Sequence, residues 1–200
     1  MYSCSACLPQ NSEEELYDKI LRLHVIANSD GDDDQKMKLF VRDALLCELQ
    51  CLFEENEAEN LEAAKAVVDN NRERLTECAQ NAVFSYSPGC DYDVKLELTH
   101  EKYPTKKYED IALPAGVYNS LKVEIGSASG KNWWCVLFPT LCLSTACADT
   151  SSKSYVYEED GEEFIAAGFT PDEIRIITQS EDEDVKIKFR VLEIWGSLFG

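Results

Sequence analysis

Two hydrophobic periods divide the chain into a helical part and a part made of strands. Apolar and polar residues alternate over residues 20–28, the pattern of a strand with one face in a core. Apolar residues then recur at three- and four-residue steps, which predicts one helix from about Asp33 to Asn56 and a second that ends at about Phe84. Alternation returns in "YDVKLEL" (92–98), "LKVEI" (121–125) and "VKIKFRV" (185–191).

The order of these elements predicts the fold class. Strands with one polar face are typical of an antiparallel sheet that is covered on one side. A strand, two helices and then several strands therefore indicate an α+β fold of two layers, with a helical pair packed on a mainly antiparallel sheet.

Short polar segments predict how the elements begin, end and connect. In "SDGDDDQ", Asp32 and Gln35 have the spacing of a capping box, and Asn28, Ser29 and Asp30 are expected to cap the same helix. Turns are expected at "LPAG" (113–116) and "GSASG" (126–130), the latter as a hairpin. Further on, "YVYEEDGEEFIAA" (155–167) predicts a hairpin, and "TPDEIRII" (170–177) predicts a helical turn or a short strand.

The strand that follows "GSASG" differs from the others because both of its faces are apolar. In "GKNWWCVLFPTLC" (130–142), Trp133 and Trp134 are adjacent and so point to opposite faces of a strand. Either the rest of the fold covers both faces, or one face is an exposed patch that a partner contacts. The sequence leaves both possibilities open.

Charge excludes some classes of partner. The chain has 38 acidic and 19 basic residues, a formal net charge of −19. Nucleic acids and anionic lipids both require Lys and Arg to neutralise phosphates, so neither is an expected partner. The first fifteen residues lack the basic start and apolar middle of a secretory signal.

Motifs for chemistry are few. The segment "GSASGKN" lacks the spacing of a phosphate-binding loop, and no dinucleotide fingerprint or nucleophile elbow is present, so no cofactor is expected. One alternative is a thiol hydrolase in which His24, Asn28 and a cysteine form a Cys-His-Asn arrangement. Another is a structural zinc site at Cys4 and Cys7, although no second pair completes it and no metal site is predicted.

Nine cysteines leave at least one without a partner within the chain. Cys47, Cys51 and Cys78 fall in the helical pattern, where a free cysteine commonly acts as a small buried apolar residue. A disulfide between Cys135 and Cys142 is possible if the chain folds back at Phe138-Pro139.

Two long segments resemble the stage II sporulation protein R family of endospore-forming Firmicutes: "HVIANSDGDDDQKMKLFVRDALL" (24–46) and "LPAGVYNSLKVEIGSASGKNWWCVLFPTLC" (113–142). The resemblance implies a non-enzymatic signalling protein, exported from the forespore into the space between forespore and mother cell. There it is expected to activate a membrane-embedded aspartic protease of the mother cell, which removes the pro-sequence of sigma-E.

The resemblance also implies a domain organisation, and together with the strand that is apolar on both faces it suggests a contact site. Family members carry an N-terminal export or anchor segment, so residues 1–19 are expected to be a leader remnant or an added segment before one domain over residues 20–200. Residues 144–184 are the least family-like and are expected to be a variable acidic insertion; Thr140 also departs, standing where a second proline is expected. The residues expected to contact the protease are Lys131, Asn132, Trp133 and Trp134, with His24, Asn28 and Asp30 as a second set.

Overall fold

The structure is a computed structural model that describes residues 16–108, 111–140, 168–170, 173–174 and 176–177. The strands in these ranges are β1 (Leu21–Ile26), β2 (Val94–Tyr103), β3 (Lys106–Tyr108), β4 (Ile111–Leu113), β5 (Gly116–Ile125) and β6 (Asn132–Phe138). The longer helices are α1 (Asp32–Glu55), α2 (Leu61–Asn70) and α3 (Arg72–Tyr86).

The main sheet has the strand order β2-β5-β1-β6. Strand β5 runs antiparallel to β2 and parallel to β1, and β1 runs antiparallel to β6. Strands β3 and β4 form a separate two-stranded ribbon. The α+β class and the mainly antiparallel sheet are therefore confirmed.

The connection from β5 to β6 differs from the sequence-based prediction. Residues 126–130 do not form a hairpin turn, because β1 lies between β5 and β6 in the sheet. The segment instead crosses over the end of β1, where the Gly130 N–H donates to the carbonyl of Ala27 at 2.9 Å. The glycine and serine composition is that of a tight connection, but it cannot distinguish a hairpin from a crossover.

The helical part contains one more helix than predicted. The second predicted helix is divided between α2 and α3 at Asn71. The Asn71 side-chain amide donates to the carbonyl of Val67 at 2.8 Å and ends α2, while its own carbonyl accepts from Leu75 N–H at 2.9 Å and starts α3. Asparagine side chains compete in this way with the backbone ladder, and such competition leaves no trace in the hydrophobic period.

The predicted cap of α1 is also wrong. Gly31 is the N-cap and makes no side-chain cap, and Asp32 is already the first helical residue. The Gln35 side-chain NH₂ donates to the carbonyl of Ser29, whereas in a capping box the side-chain oxygen of this residue would accept from a backbone N–H. Its side chain therefore ties the preceding loop to the helix.

The main sheet lies between two hydrophobic clusters. On one face, the apolar sides of α1, α2 and α3 pack against β1 residues such as Leu21, Leu23 and Val25. On the other face, a second cluster consists of Leu16, Ile20, Tyr103, Leu113, Tyr118, Val136, Phe169 and Ile177. Burial on both faces accounts for the double apolar character of β6, whose residues Cys135 to Phe138 are all buried.

Segments distant in sequence complete the second cluster. Thr170 and Glu173 form a capping box, with the Thr170 N–H donating to the Glu173 carboxylate at 2.6 Å. The described residues that follow, 173–174 and 176–177, are helical, which is the helical alternative of the prediction. Lys19 pairs with the same carboxylate at 2.8 Å. The predicted hairpin at 155–167 and the predicted strand at 185–191 lie outside the described residues.

Candidate functional site

A chain of hydrogen bonds crosses all four strands on the sheet face opposite the helices. Tyr103 Oη donates to Ser120 Oγ at 2.6 Å, and Ser120 Oγ donates to Glu101 Oε2 at 2.8 Å. His24 Nδ1 lies 3.0 Å from the same carboxylate oxygen, and His24 Nε2 lies 3.0 Å from Asn132 Oδ1. We call these five residues the four-strand relay. It leads from a buried tyrosine to an exposed asparagine.

Strand register explains why these residues meet. His24 lies beside Lys122 on β5 and beside Trp134 on β6, and paired residues of neighbouring strands share a face. Glu101 is placed on this face by its pairing with Tyr118. The relay is therefore a consequence of the strand order, which brings β1 between the two later strands.

The relay fixes the ring of His24. The residue is 8% exposed and has a hydrogen-bond partner on each ring nitrogen. Glu101 accepts from Nδ1–H, and the amide of Asn132 can offer either its oxygen or its NH₂ group to Nε2. Both ring nitrogens are therefore held in place by hydrogen bonds.

The described residues do not form the Cys-His-Asn arrangement considered above. His24 is bonded to Glu101 and Asn132, whereas Asn28 donates to Asp34 at 2.9 Å and accepts from the Ser127 N–H. Cys135 belongs to the helix-side cluster, on the face opposite His24. His24 is instead a hydrogen-bonded residue on the polar face of the first strand, as the sequence also allowed.

Both tryptophans of β6 are partly buried, on opposite faces, and each has a cation over its ring. Trp133 packs on the helix side, with the Arg42 guanidinium 4.7 Å from its ring centroid. Trp134 packs on the relay side, with the Lys106 ammonium at 4.6 Å and the His24 ring at 5.6 Å. A cation over the face of an indole is attracted by the ring quadrupole. Each indole therefore contacts an apolar cluster and also a basic side chain.

The two segments that resemble one family interlock at the end of β1. Asn28 Oδ1 accepts from the Ser127 N–H at 2.9 Å, and its backbone carbonyl accepts from Ser129 Oγ at 2.6 Å. A Cβ atom on Gly130 would lie 2.5 Å from the carbonyl carbon of Ser29 and closer still to its oxygen. Only glycine fits there, because the two backbones are already in contact.

The peptide groups around Lys131 are held from both sides. The Lys131 N–H donates to Asp30 Oδ1 at 2.8 Å, and the Lys131 carbonyl accepts from the Lys38 ammonium at 2.9 Å. Lys38 is 4% exposed and also donates to Gln35 Oε1. Burial lowers the pKa of Lys38, and the charges of Arg42 and Lys131 lower it further against an opposing effect of Asp30. The side chains of Lys131 and Asn132 themselves are exposed. We call this pair the rim.

The predicted contact residues lie in two different positions. Lys131 and Asn132 form the exposed rim, and the two tryptophans follow it on opposite faces of β6. The second predicted set, His24, Asn28 and Asp30, lies behind the rim and supports it through hydrogen bonds. Sequence reasoning missed Glu101, Ser120 and Lys38, which complete this support.

Asp34 connects α1 to the interlocked loops. Burial alone would raise the pKa of Asp34, but hydrogen bonds from Ser29, Asn28 and Tyr92 outweigh it and hold the pKa below its usual value. A depressed folded-state pKa contributes stability above the unfolded pKa, about 3.9 for aspartate, and this contribution disappears as the pH falls through the folded value.

We therefore expect the effect of Asp34→Asn on stability to depend on pH. The loss in free energy of unfolding relative to the unmodified chain should be largest at pH 7. It should begin to shrink below about pH 4, where the carboxyl is protonated in the unfolded chain, and should disappear below the lower pKa of the folded state. Urea unfolding across this pH range measures it. Asp33→Asn removes the same charge from an exposed neighbour and should show a smaller effect at pH 7. A loss that is equal at pH 7 and pH 3 would contradict the prediction.

The cysteines only partly match expectation. Cys135 is disulfide-bonded, but Cys142 lies outside the described residues, so that pairing stays a prediction. Cys47 is also disulfide-bonded and Cys51 is an exposed free thiol, so neither is the buried free thiol that the helical pattern suggested. Such bonds and exposure depend on tertiary neighbours rather than on the period of the helix.

The remaining candidate sites are a metal site and a membrane-spanning helix. Within the described ranges, no group of three or more His, Cys, Asp or Glu side chains is arranged to hold a metal ion. Cys4 and Cys7 lie outside those ranges, and the zinc alternative stays untested. Among the helices that the structure describes, none has the length and hydrophobicity that crossing a bilayer requires.

The geometry is that of an α+β domain with a firmly held, exposed rim, and comparison with known proteins places it among sporulation proteins. A model of the family described as Stage II sporulation protein R matches residues 17–148. Stage II sporulation protein R of Bacillus subtilis (strain 168) is 30% identical over 154 residues, which cover 77% of this chain and 65% of that relative. No solved structure matches. This chain belongs to the stage II sporulation protein R family.

Proposed function

We propose that this chain is an intercellular signal of sporulation that activates a membrane-embedded aspartic protease. In this proposal it acts in the space between forespore and mother cell, after export from the forespore. The activated protease then removes the pro-sequence of the mother-cell factor sigma-E. The observation that carries the proposal is that the two segments resembling the family meet at one exposed rim.

The proposed contact with the protease centres on the rim. Lys131 and Asn132 are exposed, and their backbone is held from both sides, so little ordering entropy remains to be lost on binding. The partly buried rings of Trp133 and Trp134 lie next to the rim, and tryptophan is enriched where interfaces gain most of their energy. Asn28, Asp30 and His24 contribute from behind by fixing the rim.

Activation places a thermodynamic requirement on such a ligand. It can shift the protease toward its active form only if it binds that form more tightly than the inactive one. A tenfold preference corresponds to about 1.4 kcal/mol, which a small number of well-placed contacts can supply. Changes at the rim should therefore reduce activation without changing the fold.

The test is reconstitution of processing. The chain, the protease and the sigma-E precursor are co-expressed in a cell that has no activator of its own, and cleavage of the precursor is followed. Cleavage should require the chain and should fall with Lys131→Glu, which reverses the charge of the rim. Lys65→Glu makes the same change on α2, in an exposed pair with Glu62, and should leave cleavage intact. Processing that is the same with and without the chain would refute the proposal.

A further inference from the structure

We infer that Lys38 and Glu101 are positioning residues, which hold the rim in the geometry that its partner contacts. The inference rests on the proposed function for the identity of that partner. Lys38 is buried on the helix side of the sheet, and Glu101 is half-buried on the other side. Lys38 acts on Lys131 directly, and Glu101 acts on the adjacent residue Asn132 through His24.

Lys38 fixes the backbone of the rim. Its ammonium donates to the Lys131 carbonyl at 2.9 Å and to Gln35 Oε1 at 2.8 Å, while Asp30 accepts from the Lys131 N–H. Both of these acceptors of the ammonium are neutral, and no carboxylate of the described residues lies within hydrogen-bond distance of it, so only the more distant charge of Asp30 opposes the cost of burial. A buried charge held by two neutral acceptors costs solvation energy, and a residue needed only for stability would more simply be apolar.

Glu101 fixes the side chain of Asn132, one of the two rim residues, by way of His24. It accepts from His24 Nδ1 and from Ser120 Oγ with the same oxygen, and His24 in turn holds the amide of Asn132. A carboxylate that fixes one nitrogen of an imidazole also fixes the orientation of the other nitrogen. Glu101 therefore determines where the exposed amide of Asn132 points, although it does not touch the rim itself.

The two contacts together make the rim rigid in both backbone and side chain. Rigidity of this kind raises affinity by reducing the entropy lost on binding, rather than by adding contacts. Removing either anchor should weaken binding of the protease while leaving the maximal effect of the bound chain unchanged. A residue that only stabilises the fold would instead reduce the amount of folded chain.

The first experiment uses the full chain alone and does not depend on the function. Amide hydrogen exchange measured by NMR should show the Lys131 N–H exchanging about tenfold faster in Lys38→Met than in the unmodified chain, the factor that corresponds to 1.4 kcal/mol of local opening. In Glu101→Leu, the side-chain amide signals of Asn132 should move toward those of a free asparagine. Glu101→Gln, which keeps an acceptor for His24, should retain them. Unchanged exchange and unchanged amide signals in the first two variants would overturn the inference.

The second experiment measures processing against the concentration of folded chain. Lys38→Met and Glu101→Leu should each raise the concentration needed for half-maximal cleavage by about tenfold, at an unchanged maximum. Controls that remove the same charges elsewhere are Lys65→Met on α2 and Glu97→Leu, which lies on the same strand as Glu101 but is half exposed. Half-maximal concentrations equal to those of the unmodified chain would overturn the inference.

The two experiments separate failure of the inference from failure of the proposed function. If the unmodified chain does not stimulate cleavage, the proposed function is refuted, and the exchange experiment still decides whether the two anchors fix the rim. If Glu101→Leu folds poorly, Lys38→Met and the rescue by Glu101→Gln decide the result.

Discussion

A Gly130→Ala variant is expected to lose about 3 kcal/mol of its free energy of unfolding, the upper range for inserting a methyl group where there is no space. The added Cβ would lie 2.5 Å from the carbonyl carbon of Ser29. Neither backbone can move away easily, because the Gly130 N–H is bonded to Ala27 and the Ser29 carbonyl accepts from Gln35. Relief of the clash would therefore separate the two interlocked loops.

The measurement is urea unfolding followed by far-ultraviolet circular dichroism, with Gly31→Ala as the matched control. Gly31 lies in the other interlocked loop, close to Ser29, at an ordinary φ of −61°, and its added Cβ would meet only the rotatable hydroxyl of Ser29, at 3.3 Å. That control should lose about 1 kcal/mol or less, the cost of a poorer N-cap. Equal losses in the two variants would mean that the close contact at Gly130 does not limit stability. In the proposed signalling role, separation of the two loops should also abolish activation of the protease at temperatures where the variant remains folded.

A Trp134→Ala variant is expected to lose about 3 kcal/mol, the lower end of the range for removing a buried tryptophan, since this ring is only partly buried. The ring contacts His24 and Tyr103, with centroid distances of 5.6 and 6.2 Å, and supports the Lys106 side chain. Its removal would leave space beside the four-strand relay and admit water to the His24 hydrogen bonds.

Urea unfolding measures this loss as well, and two variants bracket it. Trp134→Phe keeps an aromatic ring against His24 and should lose only about 1 kcal/mol. Phe84→Ala removes a ring that is 61% exposed and should stay within about 0.5 kcal/mol of the unmodified chain. A loss below 1 kcal/mol for Trp134→Ala would indicate that this indole is held for a partner rather than for the second cluster.

Local periodicity predicted much of the fold. The first strand and α1 lie within one or two residues of the predicted bounds. Their apolar residues follow one period over the whole element, so the type of secondary structure is clear from the sequence. The opposite orientations of Trp133 and Trp134 follow from the geometry of any strand. What periodicity could not supply was the division at Asn71, where a side chain rather than a hydrophobic position ends the helix.

The site was less predictable, because it depends on which strands are neighbours. His24 and Asn132 are 108 positions apart and meet only because β1 is inserted beside β6. Glu101 lies in the polar C-terminal half of β2. Which face of the sheet its side chain occupies can be predicted only once the pairing of β2 with β5 is known. Lys38 is a lysine in an otherwise ordinary helical pattern, and only its 4% exposure distinguishes it from a solvated residue.

The position of β1 also determines when the fold can be completed. This strand comes early in the chain, but both of its neighbours, β5 and β6, come from the far side of the helices. Contacts between segments so distant in sequence form slowly, because the intervening loop must close before they yield any stabilisation. Until β6 has joined, one edge of β1 is open and the rim does not exist. A chain that is partly translocated, or shortened before residue 132, can therefore form its helices but has no rim. In the proposed signalling role, only the completed domain would bind its partner.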